Sequence, residues 1–200
     1  ALVYDTEVIN IPRFKIKNPK EELKRVQSAI DSTKEELLLL HKNTLENFGK
    51  KQADIFDVHL MVLEDETLLS ELKRRIYEEL INAESILYDI TQKYIKDLKT
   101  TENSLIEERK ADVIDVIDRI IRNLLKQKRP DIENIKKPCI LLSKDLPPSE
   151  TARLNPDKVR AIVLERGSTT SHVAILARSL KIPTIVGVNN MFESYTEPIK

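Results

Sequence analysis

Glycine is almost missing from this chain, and that limits what it can fold into. The three glycines are Gly49, Gly167 and Gly187, so residues 50–166 contain none. Glycine supplies left-handed turns and strand bulges, so a long interval without it, filled with good helix formers, favours helices joined by short connections. The apolar spacing agrees. Asn18 and Pro19 give an N-cap and a first helical residue, and Leu23, Val26, Ile30, Leu37 and Leu40 then repeat at helical spacing towards Gly49. A second helix carries Ile55, Phe56, His59, Leu60 and Leu63 and ends in the acidic cluster Glu64–Glu66. Thr67 caps a third, with Leu68, Leu72, Ile76 and Leu80. Two more follow, one through Ile86, Ile90, Tyr94 and Leu98, the other through Val113, Ile117, Ile120, Ile121, Leu124 and Leu125. Each has one apolar stripe and one charged face, which predicts a helical bundle over residues 19–129.

The pattern differs on both sides of this block. Leu2 to Tyr4, Val8-Ile9, Phe14 and Ile16 read as extended. Beyond the break at Arg129-Pro130-Asp131, Pro138–Leu142, Ala161–Leu164 and Thr184–Val188 read as strands. A short capped helix is expected over Ser149–Leu154 and a longer one over Thr170–Leu180. Strands alternating with helices indicate an α/β unit. The expected fold is therefore mixed: an α/β domain from residues 1–18 plus 130–200, with an all-α bundle, 19–129, inserted into it.

Composition removes several function classes. There are 33 basic and 33 acidic residues, so bulk attraction to nucleic acid or an anionic membrane is not expected. Cys139 is the only cysteine and lies in an apolar run, which excludes an internal disulfide framework and favours a reducing, cytoplasmic setting. The sequence shows neither a secretory signal nor an apolar run long enough to span a bilayer, so a soluble protein is expected.

The chemistry concentrates at His172. It follows Gly167 and a run of hydroxyl side chains that includes Thr170 and Ser171, and it precedes Ala174, Ile175 and Leu176, which carry a helix into a core. Thr170 or Ser171 can cap that helix. The first helical turn leaves backbone N–H groups free at the positive end of the dipole, so an anion is stabilised there without a lysine. An imidazole in that position can attack phosphorus and become a phosphohistidine. No second His or Cys stands nearby at ligand spacing, so no metal site is expected.

Residues 145–187, including Pro148-Ser149-Glu150-Thr151 and Thr170-Ser171-His172, closely resemble the phosphohistidine domain of the enzyme I family of the phosphoenolpyruvate:sugar phosphotransferase system. Ile55–Glu66 resembles that family's partner-binding helix, and Glu108–Asp115 with Arg122-Asn123 its later bundle helix. The resemblance implies a swivelling phosphohistidine domain and a phosphoryl relay. Phosphoenolpyruvate bound on a C-terminal barrel, where Mg2+ is expected, phosphorylates the histidine at Nε2, and the group passes to the small carrier HPr. No cofactor is expected within these residues themselves. His172 would be the nucleophile, Thr151 would orient its ring, and Gly167, Thr170 and Ser171 would support the phosphoryl loop. Thr151 also reads as an ordinary helix-start residue. His59, Met61, Val62, Glu66, Leu68, Ile106 and Arg109 match the family's HPr-contacting surface, while a satisfied structural role stays open for His59. His41 reads as a surface residue.

Departures from the pattern qualify this. Ser168 stands where the family has a second glycine, with Arg166 just before the loop, and Lys50-Lys51-Gln52 replaces an acidic stretch beside the docking surface. The family's glycine-rich opening is expected before Ala1 and its barrel after Val188, which suggests an N-terminal portion of a longer protein. Two alternatives follow: a nitrogen-type enzyme I paralogue, or a docking module whose histidine no longer reacts.

Overall fold

The computed structural model describes residues 1–4, 10–98, 104–127, 132, 134–167 and 171–192; for Leu98, residues 104–108 and His172 it describes the backbone alone. In chain order the elements are β1 (Leu2–Val3), α1 (Pro19–Phe48), α2 (Lys50–Leu63), α3 (Glu66–Glu79), α4 (Ala83–Leu98), α5 (Ser104–Leu125), β2 (Cys139–Ser143), α6 (Pro148–Thr151), β3 (Val159–Leu164), α7 (His172–Ser179) and β4 (Thr184–Ile185). They form two compact units, one of Ile9–His41 and Phe56–Arg129, the other of Ala1–Val8, Lys42–Ile55 and Pro130–Lys200.

The helical unit follows from local rules. Asn18 caps α1, its Oδ1 accepting from Lys20 N at 3.1 Å, and Glu21 and Glu22 place negative charge at the helix start. α1 stops at Gly49, which takes φ +88, so α2 begins one residue later. α3 is capped by Asp65, whose Oδ1 accepts from Leu68 N at 2.9 Å, and not by Thr67 as the sequence suggested. Asp65 precedes Thr67 and is already extended (φ −65, ψ 112), so Thr67 lies inside the first turn. Leu37, Phe56, Leu63, Ile76, Ile86 and Ile117 are fully or almost fully buried. Residues 10–17 do not extend the sheet. Lys15 bridges antiparallel to Ile81, Ile16 N donates to Leu80 O, and Asn82 N donates to Phe14 O, so this segment is extended but pairs with the α3–α4 junction.

An ion network ties the starts of α1 and α4 to the end of α5. Arg25 pairs with Glu22 at 2.8 Å and with Glu84, and reaches the Leu124 carbonyl at 3.3 Å. Burial works against the Arg25 charge, but the Glu84 and Glu22 carboxylates outweigh it and hold the guanidinium above its ordinary value.

The α/β unit holds a four-stranded sheet in the order β1-β2-β3-β4, parallel throughout. Leu2 pairs with Leu141, Leu141 with Ile162, and Ile162 with Thr184. Leu141, Ile162 and Leu164 point into a core with Leu146, Leu154, Val173 and Ala177. The turn around Gly49 belongs to this unit: Phe48 packs against its core, and Gln52 Nε2 donates to Ser179 Oγ at 3.1 Å. α6 starts at Pro148 behind an N-cap of Pro147, one residue earlier than expected and with no side-chain cap. Proline at the first helical position makes that start inexpensive, because its missing N–H would be unpaired anyway.

Candidate functional site

β3 delivers the chain to the site. After Leu164, Glu165 N donates to Ser143 O at 3.1 Å and Arg166 N to Lys144 O at 3.0 Å, which continues the strand's pairing into the loop. Gly167 then takes φ +105. A Cβ there would meet only ordinary contacts near 3.8 Å, with Ser171 and Val186, so the requirement for glycine is conformational and not spatial. Gly167→Ala should cost about 1–3 kcal/mol of stability. Urea denaturation would show it, and an unchanged midpoint would mean that the loop adapts at no cost.

Ser171 caps α7, its Oγ accepting from Ala174 N at 3.4 Å, and His172 is the first helical residue. Val173, Ala174, Leu176 and Ala177 are buried, so the sheet core anchors the helix behind the histidine. Thr170 and Ser168 lie outside the described residues. α6 packs against α7. Thr151, the last residue of α6, is fully buried and donates from Oγ1 to Pro147 O at 3.1 Å. Glu150 beside it is 1% exposed; it accepts from Tyr4 Oη at 3.2 Å and pairs with Arg153 at 3.4 Å. Sequence reasoning missed this brace on α6. A glutamate inside a short, otherwise neutral helix was its only signal. Burial also pushes the Asp145 carboxyl up, against the bond it accepts from Leu146 N and the attraction of Arg166.

The second set of predicted residues lies on the helical unit. Met61 is 72% exposed, Glu66 is exposed, and Val62 and Leu68 are half-buried around the α2–α3 turn. Arg109 is exposed on α5, and Ile106 lies on the same helix, placed here by its backbone alone. His59 does not belong with them. It is fully buried, with Nε2 3.3 Å from Asp112 Oδ1 and Nδ1 4.0 Å from Asp115 Oδ2. Its assignment as a surface contact is corrected, because a side chain with no exposed area presents nothing to a partner docked outside. Its position on the stripe of Ile55, Phe56 and Leu63 already pointed inward.

The model of the PEP-utilising enzyme N-terminal region matches residues 1–109. The chain belongs to the PEP-utilising enzyme family. The mobile-domain model of the same PEP-utilising enzymes matches residues 135–198, which include α6, β3, α7 and His172. Among individual relatives, the chain is 36% identical over 179 residues to the phosphoenolpyruvate-protein phosphotransferase of Bacillus subtilis, covering 90% of this chain and 31% of that protein. It is also 36% identical to the enzyme of the same name from Lactococcus lactis, over 91% of this chain and 32% of the relative. The chain thus spans about a third of these relatives' length. A solution structure of enzyme I aligns with a TM-score of 0.74 at 32% identity, covering 95% of this chain and 77% of that one. The N-terminal domain of a nitrogen-type enzyme I aligns with a TM-score of 0.64 at 22% identity, a likeness of fold alone. Among the described residues of this PEP-utilising enzyme chain, no helix is long and apolar enough to cross a membrane, and no group of three or more His, Cys, Asp or Glu is arranged to hold a metal ion.

Proposed function

We propose that this chain carries the phosphohistidine and carrier-docking parts of a phosphoenolpyruvate-protein phosphotransferase, acting in the cytoplasm. The observation that carries the reading is the place of His172: first residue of a Ser171-capped helix, behind the positive-φ Gly167, in a chain of the PEP-utilising family. In this reading the α/β unit is the swivelling domain, with the helical bundle inserted into it.

The step is a phosphoryl exchange between two imidazoles. His172 Nε2 attacks the phosphorus of phospho-HPr, the N–P bond in HPr breaks, and its electron pair returns to the carrier's ring; the reverse step loads HPr. Phosphoenolpyruvate, bound on a C-terminal barrel with Mg2+, is the proposed original donor. The free N–H groups and dipole of the first turn of α7 stabilise the transferred group. The Thr151 hydroxyl already donates to Pro147 O, so its lone pairs are what it offers an imidazole. Accepting from Nδ1–H, it would hold the ring with Nε2 free to attack. Gly167, Thr170 and Ser171 shape the loop around the group.

Docking falls to Met61, Val62, Glu66, Leu68, Ile106 and Arg109. An exposed apolar side chain with acidic neighbours suits a carrier that presents an apolar patch ringed by basic groups. Met61→Asp should therefore weaken HPr binding by about tenfold, roughly 1.4 kcal/mol. Titration calorimetry checks this, and unchanged affinity would move the docking surface elsewhere. The function itself is tested by incubating the chain with phospho-HPr: an acid-labile, base-stable label is expected. HPr binding without any exchange would leave only a docking module.

A further inference from the structure

The inner face of α5 carries polar side chains at helical spacing, namely Asp112, Asp115, Arg119 and Asn123. The first three are only 3–4% exposed. His59 of α2 meets the first two: it donates from Nε2 to Asp112 Oδ1 at 3.3 Å, its Nδ1 is 4.0 Å from Asp115 Oδ2, and its ring stands edge-on to Phe56, 5.7 Å between centroids. Farther along, Arg119 pairs with Glu36 of α1, and Asn123 Nδ2 donates to Thr33 Oγ1 at 3.0 Å and to Glu36 Oε1 at 3.1 Å. One helix thus holds both α1 and α2 through polar contacts, buried at the α2 end and partly exposed at Glu36.

A core selected for stability alone would not be built this way. Arg119 Nε and Nη2 and His59 Nδ1 are buried with no hydrogen-bond partner among the described residues, and such atoms cost free energy. Polar contacts do give one thing that leucines do not. An apolar face packs acceptably after sliding or rotating by part of a turn, whereas a hydrogen-bonded pair is satisfied at one register only.

We infer that the α5 polar stripe is a register lock that fixes the rotation and axial position of α2, so that Met61, two residues after His59, faces outward with Val62. His59 is then a positioning residue for carrier docking, a role that rests on the docking reading above.

The test uses the 200-residue chain and Bacillus subtilis HPr as the probe. The triple variant His59→Leu/Asp112→Leu/Asp115→Leu should melt at or above the wild-type temperature, since apolar replacement of a buried ionic cluster is often neutral or stabilising. Its Kd for HPr should nevertheless rise about tenfold, with exchange at saturating HPr within about twofold of wild type. Asp112→Asn keeps the acceptor and should bind within about twofold. The methyl NMR signal of Met61, one of two methionines, should broaden or split in the triple variant while that of Met191 stays put. If the triple variant does not fold, His59→Leu/Asp112→Leu removes the directly bonded α2–α5 pair alone and should give the same readings. A folded variant that binds like wild type with an unchanged Met61 signal overturns the inference, and so does loss of folding in both, which would make the stripe a stability element. A wild-type chain that does not bind HPr removes the docking reading instead, and the Met61 signal still tests the lock.

Discussion

Replacing His172 with alanine is expected to abolish covalent phosphoryl uptake from phospho-HPr entirely, not merely to slow it. The chain has only three histidines, so few imidazole nitrogens could carry the phosphate. His59 is shielded on every side, and His41 lies on α1, its Nε2 3.4 Å from Asp57. Neither stands at a helix start. The variant should keep its fold, because α7 is anchored by Val173, Leu176 and Ala177 and capped by Ser171, none of which changes. The N-terminal turn of α7 can still attract an anion, yet without a nucleophile no N–P bond forms. Radiolabel transfer followed by acid and base treatment reads this directly. Label on the alanine variant would place the nucleophile elsewhere and end the assignment.

Arg25→Ala should destabilise the helical unit by about 2–4 kcal/mol. Removing the guanidinium leaves the Glu22 and Glu84 carboxylates, 6% and 2% exposed, facing one another without their cation. Two facts keep the loss below the full cost of an uncompensated buried pair. Arg25 is 41% exposed, so solvent already screens part of the interaction, and each carboxylate keeps another donor: Ala83 N for Glu22 and Asn82 Nδ2 for Glu84. Adding Glu84→Gln to the variant should recover part of the stability, because a neutral amide no longer requires the cation. Urea denaturation followed by circular dichroism gives both numbers. A loss under about 0.5 kcal/mol would show that the network is as weak as an exposed surface pair.

Much of this arrangement could be read from local sequence. Asn18-Pro19 marked the start of α1 and Gly49 its end, and both hold because a cap and a positive φ are decided within a few residues. The α7 start was legible for the same reason: Ser171 and the apolar run after it carry the signal themselves. What stayed hidden depended on partners distant in sequence. The segment 10–17 has β-prone residues, and propensity predicts extended backbone but not which strand it joins; it joined Ile81. Asp65 and Thr67 offered two acceptors in one turn, and the choice fell to the residue whose backbone leaves the helix first. His59 looked like a candidate contact because its carboxylate partners are 53 and 56 positions away on α5, outside any local window. The spacing of Asp112, Asp115 and Arg119 at three and four residues puts them on one face of α5, but every bundle helix here has a charged line beside an apolar one, so their burial depends on the distant partners.

The parallel pairing of Leu2 with Leu141 also sets an order of events during synthesis. β1 leaves the ribosome long before β2 exists, and at about 5–20 residues per second it waits for that partner on the order of ten seconds. During that wait the intervening helices can condense on contacts that are mostly close in sequence, which is the fast kind of folding. The sheet, and with it the platform behind His172, closes last. Slow or paused translation between residues 4 and 139 would therefore prolong the time in which Leu2 and Val3 lack their β2 partner and are available to the wrong neighbour.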